Sequence, residues 1–381
     1  MAIGFIQMNI VLKVADSKQL LKEFIFLPEK IYSGNPRWVP PMYIDEWNFH
    51  DPKQNKALDY SDVIRVIAYA GSKPVGRIMG IINHKYNQEH REQTARFFAL
   101  DCIHNQHVAH ALIAHIERWA SDKGMTKLIG PYGFSDKDPQ GLQVEGLDLL
   151  PVIATPTNPV YLQTLVENEG YEKELDCVSY QMAIPEQLPP VYERVFGRIN
   201  ANKNFKLLEF TTKRQLKPYI VPLFRLVNET YAPLFGFVPM TEVEMKKFAS
   251  QYMPVLVPEL VKVVVDQSND MIAFVVSMPD MSAGIQKAKG RLFPFGFIHI
   301  LRSMQKTNQL NLLLGAIKSA HRGKGLNVLM GKALIESARK RRLTAMDSHL
   351  ILEKNEIMRA ECEKLGGVIR KRYRVYQKLL G

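Results

Sequence analysis

Two glycines and two cations fall together in IKSAHRGKGLNVLM, residues 317–330: Arg322, Gly323, Lys324 and Gly325, with Leu326 and Asn327 following. An apolar strand end runs into this hinge, and LNVLMGKALIESARK leaves it with helically spaced apolar residues. A helix starting here would present its free N–H groups beside small residues and positive charge, which is the chemistry of an anion site. The same hinge would also serve as a plain strand-to-helix turn, its glycines relieving the backbone and its charges facing water.

Other candidate chemistry is weaker. His104, His107, His110 and His115 share one helical stretch, but no HExxH pattern occurs and their spacings bring no carboxylate to ligand distance, so a surface or pocket-lining helix is expected and no metal. Cys102, Cys177 and Cys362 are an odd number, widely separated and without a CxxC pair, which argues against a disulfide frame or a cysteine zinc site. GPYGFSDKDPQGLQVEG, residues 130–146, reads as a structured loop leaving a strand end, where substrate sites often lie; an Asx-rich turn with solvated carboxylates is the plainer alternative.

The elements that must position these residues are those of a globular chain. At 381 residues, 46% hydrophobic and 23% charged, it is long enough for two cores. No apolar run nears the roughly 20 residues that span a bilayer, and MAIGFIQMNIVLKVAD lacks a signal-peptide pattern, so a cytoplasmic protein with no membrane partner is expected. The net charge of +12 fits phosphate-bearing ligands. Nucleic acid is not the expected partner: the densest basic run, Arg339 to Arg342, ends a predicted helix, where its dipole favours cations, and no base-stacking pattern accompanies it.

Pro185, Pro189 and Pro190 mark a boundary, giving domains of 1–185 and 206–381 about a linker of 186–205. The second domain reads as a strand (KLLEFTT), two helices, a strand pair (VKVVVDQ, MIAFVVSMP), a partly helical connection, a strand (QLNLLLGAIKSA), the helix after the hinge, a strand (SHLILEK), a helix and a last strand. The first domain repeats this order from FIQMNIVLKVAD onward. Its end, NPVYLQTLVENEGYEKELDCVSYQ, parallels NEIMRAECEKLGGVIRKRYRVYQ: Asn, helix, glycine, strand, Tyr-Gln. Duplication is the reading.

An R-x-x-G-x-G/A loop between strand and helix, followed by a strand and an Asn-led helix ending in glycine, resembles the GNAT acetyltransferase superfamily. The resemblance covers most of 206–381 and, more weakly, of 1–185. It implies an α/β (α+β) protein of two GNAT-like domains, each a mixed, mostly antiparallel sheet flanked by helices. It further implies that Arg322, Gly323, Lys324, Gly325, Leu326 and Asn327 bind the pyrophosphate of acetyl-CoA, that Gly315, Ala316 and Ile317 line the pantetheine and thioester, and that Asn355 belongs to the same site. Asn327 stands where the family has Gly or Ala. The family's general-acid tyrosine is replaced by Cys362, with Tyr373 and Tyr376 as substitutes. On the first copy the motif positions fall on His104, His107 and Ala109, so that copy is expected to be degenerate.

The function these features imply is N-acyl transfer from acetyl-CoA, or another acyl-CoA, to a small-molecule or peptide amine, without a metal. Two alternatives stand beside it: a catalytically silent acyl-CoA-binding or sensing module, and an acyl transferase of the peptidoglycan-bridge aminoacyl or N-myristoyltransferase type. The acceptor, the acyl chain and any homo-oligomeric state are left open.

Overall fold

The computed structural model describes residues 9–188, 190–201 and 204–381, so the opening residues of the first predicted strand lie outside the described residues. The chain divides into two compact units. One holds residues through Cys177 together with 285–297 and 371–381; the other holds 178–284 and 298–370.

In the first unit the order is β1 (Ile10–Val14), α1 (Lys18–Ile31), α2 (Tyr43–His50), β2 (Ser61–Ala70), β3 (Lys73–Asn83), α3 (His84–His90), β4 (Thr94–Cys102), α4 (Gln106–Asp122), β5 (Lys127–Gly130), β6 (Leu142–Glu145), α5 (Tyr161–Glu167) and the start of β7 (Glu172–Ala183). The second unit continues with α6 (Pro190–Ala201), β8 (Phe205–Glu209), α7 (Lys213–Leu216), α8 (Ile220–Tyr231), α9 (Glu242–Tyr252), β9 (Val261–Asp266), β10 (Met271–Pro279) and α10 (Ser282–Lys287). Then come α11 (Gly296–Lys306), β11 (Gln309–Ile317), α12 (Leu326–Lys340), β12 (Ala345–Asp347), β13 (Ile351–Leu352), α13 (Glu356–Lys364) and β14 (Val368–Leu379).

The strand order within the first unit is β1-β2-β3-β4-β5, completed by the chain's last residues in β14; within the second it is β8-β9-β10-β11-β12, completed by residues 178–183 of β7. The copies therefore share one topology, and each takes its sixth strand from the end of the other. This differs from the expected linear division about 186–205, because a proline pattern marks where a chain turns and not which sheet its strands join. The stretch expected as a linker contains α6, which begins at Pro190, where a missing N–H costs nothing. Its Ile199 packs against Leu326, Leu329 and Met330 in the second unit.

Most neighbours are antiparallel; β4–β5 and β11–β12 are parallel. In each unit that parallel pair holds for only three residues: Thr94–Arg96 with Lys127–Ile129, and Gln309–Asn311 with Ala345–Asp347. Each long strand also carries an irregularity on its antiparallel side. Ala99, at φ 49°, lies in the one between β3 and β4, and Leu313 is skipped between β10 and β11. A bulge adds a residue to one strand and bends it away from its neighbour, so both sheets open beyond the third pair. Apolar strand residues supply most of the cores: Val66, Phe97 and Leu128, packed with Leu112 of α4, in the first unit, and Val263, Phe274, Leu310 and Met346 in the second, Met346 lying in β12 just before the stretch SHLILEK expected as the strand.

Candidate functional site

The hinge of the second unit is a helix N-terminus left open. Helix α12 forms because Leu326, Leu329, Met330, Ala333, Leu334 and Ala338 recur at helical spacing and are all buried. Its N-cap is Gly325 at φ 81°, and no side chain caps it. The N–H groups of Gly323, Lys324, Gly325, Leu326 and Asn327 have no acceptor among the described residues. Unsatisfied N–H groups and the positive end of the helix dipole favour an anion here, and Arg322 and Lys324 lie exposed on the same turn.

The two glycines do different work. A side chain at Gly323 would meet nothing within 4 Å, so at φ 74° this residue gives the turn its left-handed backbone beside open space. A Cβ at Gly325 would come within 2.5 Å of Ile199 and 2.9 Å of Val195, so Gly325 is where α6 closes onto the loop. Arg322 Nε donates to the Ile317 carbonyl at 3.4 Å. Asn327 turns its amide to Glu361 Oε2 on α13 at 2.7 Å. Asn355 is the N-cap of α13, accepting from the Met358 N–H at 3.2 Å.

The first unit's equivalent hinge is closed. Asn105 caps α4 with its own side chain, accepting from the Val108 N–H, and Gln106 reaches the Leu165 carbonyl and Glu169. His104 stacks on Tyr161, ring centroids 4.5 Å apart, and His110 meets Glu169 at 2.8 Å. Among the described residues no group of three or more His, Cys, Asp or Glu is placed to hold a metal ion.

Beside the open hinge, β11 past Asn311 has β10 on one side and, among the described residues, no strand on the other. Gly315 is exposed there, Ala316 is buried in the core, and Ile317 is partly buried. The Tyr231 hydroxyl, at the end of α8, donates to the Gly315 carbonyl at 3.0 Å and lies 3.4 Å from its N–H. A polar group gathers where the strands part: Asn311 and Asp347 are paired and buried, and Asp347 Oδ1 accepts from Ser179 Oγ and the His349 N–H, each at 2.8 Å. Neither Tyr231 nor Asp347 stands out in the sequence. Tyr231 lies in an ordinary amphipathic helix 84 residues before Gly315, and Asp347 is a lone carboxylate at a strand end.

The three residues considered as general acids are all buried. Cys362 is 2% exposed in the core formed with Tyr180, Met182 and Leu334, and burial pushes its thiol up to about 11. Tyr373 and Tyr376 are fully buried and belong to the first unit, whereas the hinge belongs to the second. The Tyr376 hydroxyl donates to Glu167 Oε1 at 3.0 Å, and burial with that carboxylate raises its pKa. Residues 130–146 do form a structured loop. The fully buried Arg96 donates to the Gly133 and Phe134 carbonyls at 2.9 and 2.8 Å, its guanidinium lying between the Tyr86 and Tyr132 rings. Asp138 caps the turn by accepting from the Ser135 N–H, and burial pushes its carboxyl up to about 6.

A short parallel pairing that splays at a bulge, with an open glycine hinge after the longer strand, defines the class: the fold is that of the GNAT acetyltransferases. Among solved structures, the chain is similar to a tandem GNAT protein from the clavulanic acid biosynthesis pathway, with a TM-score of 0.55, 14% identity and 98% of both chains covered. It is also similar to a probable N-acyltransferase from Enterococcus faecalis V583, with a TM-score of 0.52, 7% identity, and 98% of this chain and 73% of that one covered. No family model matches the sequence. Two curated proteins align over nearly its whole length: Protein YghO of Escherichia coli K12, 26% identical over 95% of this chain and 93% of that one, and a bacterial ceramide synthase of Caulobacter vibrioides, 27% identical over 94% and 95%.

Proposed function

We propose that the protein is an N-acyltransferase that takes an acyl group from an acyl-CoA and delivers it to the amine of a long-chain amino alcohol. The observation that carries the first half is the row of N–H groups from Gly323 to Asn327, which among the described residues have no acceptor and lie beside an uncovered edge of β11. A pyrophosphate suits the first and an extended pantetheine arm the second. The ceramide synthase similarity supports the acceptor class, since a ceramide is the amide of a fatty acid with a long-chain amino alcohol.

The chemistry asked of the chain is modest. Acyl transfer from a thioester to an amine needs the two reactants held together, a proton removed from the amine and the departing thiolate stabilised. The backbone of β11 near Gly315 would position the thioester, Tyr231 offers the hydroxyl at that backbone, and Asp347 offers the carboxylate where the strands part.

The test is release of free CoA thiol on mixing the protein with acetyl-CoA or hexadecanoyl-CoA and either sphinganine or glucosamine. Release with hexadecanoyl-CoA and sphinganine is expected. Activity confined to acetyl-CoA and the sugar would keep the transferase and overturn the acceptor class. Tight CoA binding without release under any pairing would favour a silent binding module, the reading that the buried Cys362 at the family's acid position supports.

A further inference from the structure

We infer that the segment Lys287–Leu301 is a peripheral docking surface for an anionic phospholipid bilayer. This stands on the chain's own surface and does not depend on the proposed reaction. Within GRLFPFGFIHIL, Phe293 is 78% exposed, Phe295 66%, Phe297 44% and Leu301 45%. The last two lie one helical turn apart on the outward side of α11, whose inward side buries Ile300 and Met304. A helix apolar on both faces has one of them unpartnered, and four large apolar side chains in one short segment are more than scattered surface hydrophobics explain.

The segment is anchored from behind. A Cβ at Gly290 would run into the Pro41 carbonyl oxygen, and the Gly290 carbonyl accepts from the Tyr43 N–H at 3.0 Å. Arg291 pairs with Glu29 at 2.7 Å and lies over the Tyr43 ring, while Gln286 donates to the Pro36 and Trp38 carbonyls, both at 2.9 Å. Phe293 and Phe295 are thus held outward on an anchored loop, and Phe297 on the first turn of α11.

Charge names the occupant. From Met281 to Lys306, 26 residues, the sequence has no Asp or Glu and five Lys or Arg. Lys287 and Lys289 are exposed a few residues before Phe293 in the same unit, and neither has an ion-pair partner among the described residues. Exposed aromatic side chains with unpaired lysines close by in the chain match a negatively charged lipid surface; an apolar protein partner would require no such charge. The expectation of no membrane partner rested on the lack of a spanning segment. No helix among the described residues is long and apolar enough to cross a membrane, which leaves a surface contact open.

The test is co-sedimentation of the full chain with phosphatidylcholine vesicles, with and without roughly one-third phosphatidylglycerol. Binding that requires phosphatidylglycerol and falls with salt is expected. The double variant Phe293→Ser/Phe295→Ser should lower partitioning at least about tenfold, because each ring loses its apolar burial. Lys287→Glu/Lys289→Glu, which leaves the aromatic tip and its anchor in place, should abolish the preference for phosphatidylglycerol and carries the test if the serine variant misfolds. A chain that stays in the supernatant with anionic vesicles overturns the inference. So does phosphatidylglycerol binding unchanged in the variants, or a dimer in sedimentation velocity that Phe293→Ser/Phe295→Ser dissolves while no vesicle binding is seen, which would make a second copy the occupant.

Discussion

The Tyr231 hydroxyl donates to the Gly315 carbonyl at 3.0 Å, on the edge of β11 that no strand covers among the described residues. A tyrosine from α8 thus already holds the backbone group with which an extended ligand would pair. Either the ligand displaces this hydroxyl or it binds alongside it; both place a phenol beside the thioester of the proposed donor. Tyr231→Phe keeps the ring and its contact with Phe237, 6.4 Å between centroids, and removes only the hydroxyl. Transfer, followed by CoA release, is expected to fall about 10²-fold with CoA affinity nearly unchanged. A fall in affinity and rate together would make the hydroxyl a binding group only.

The hinge separates binding from stability. Arg322→Ala removes an exposed cation, so CoA affinity measured calorimetrically should drop by about 1.5–3 kcal/mol while the melting temperature stays put. Gly325→Val adds a side chain into Ile199 and Val195 at a left-handed backbone position, so both affinity and melting temperature should fall. A Gly325→Val protein that binds less but melts like the parent would mean that α6 is not seated on the hinge.

Much of this architecture is legible in the chain. The hinge announces itself because a phosphate site needs glycines and N–H groups contiguous in sequence, and the repeat because Asn, helix, glycine, strand and Tyr-Gln recur in order. What escapes a linear reading is whatever the sheets assemble across it. The sixth strand of each unit comes from the other copy, so Tyr373 and Tyr376 sit in the first unit although they follow the hinge in sequence. Tyr231 reaches Gly315, and Ser179 reaches Asp347, only once the strands are paired. Gly325 reads as room for a phosphate because its packing partner, Ile199, lies in a stretch that prolines disguise as linker.

Opposing pH dependences arise within the first unit. Asp138, pushed up by burial to about 6 from 3.8, binds its proton more tightly folded than unfolded, so it adds stability as pH falls through 6 toward 3.8 and costs stability above. His50, held down to about 2 by burial and by Arg65, stays neutral when folded and protonates only on unfolding, so it removes stability below 6.5. The net slope mixes the two, and Asp138→Asn isolates the first. Denaturant unfolding from pH 4 to 7 should show the variant losing relative to the parent at the acid end; parallel curves would place the carboxyl in water.

The resemblance to the acetyltransferases puts Cys362 at the position of a general acid, and its surroundings argue that it has no such duty. It is 2% exposed, packed among Tyr180, Met182 and Leu334, and burial, with Glu361 and Glu363 nearby, raises its thiol to about 11. A thiol so placed gives up its proton reluctantly and has no open path to a ligand. Iodoacetamide should therefore modify Cys362 slowly in the native protein and quickly in denaturant. Cys362→Ala should cost about 1 kcal/mol or more of stability through the lost contacts while leaving transfer within about tenfold of the parent. A loss of 10²-fold or more with stability and CoA affinity intact would return the proton to the thiol and leave Tyr231 the lesser part of positioning the acyl group.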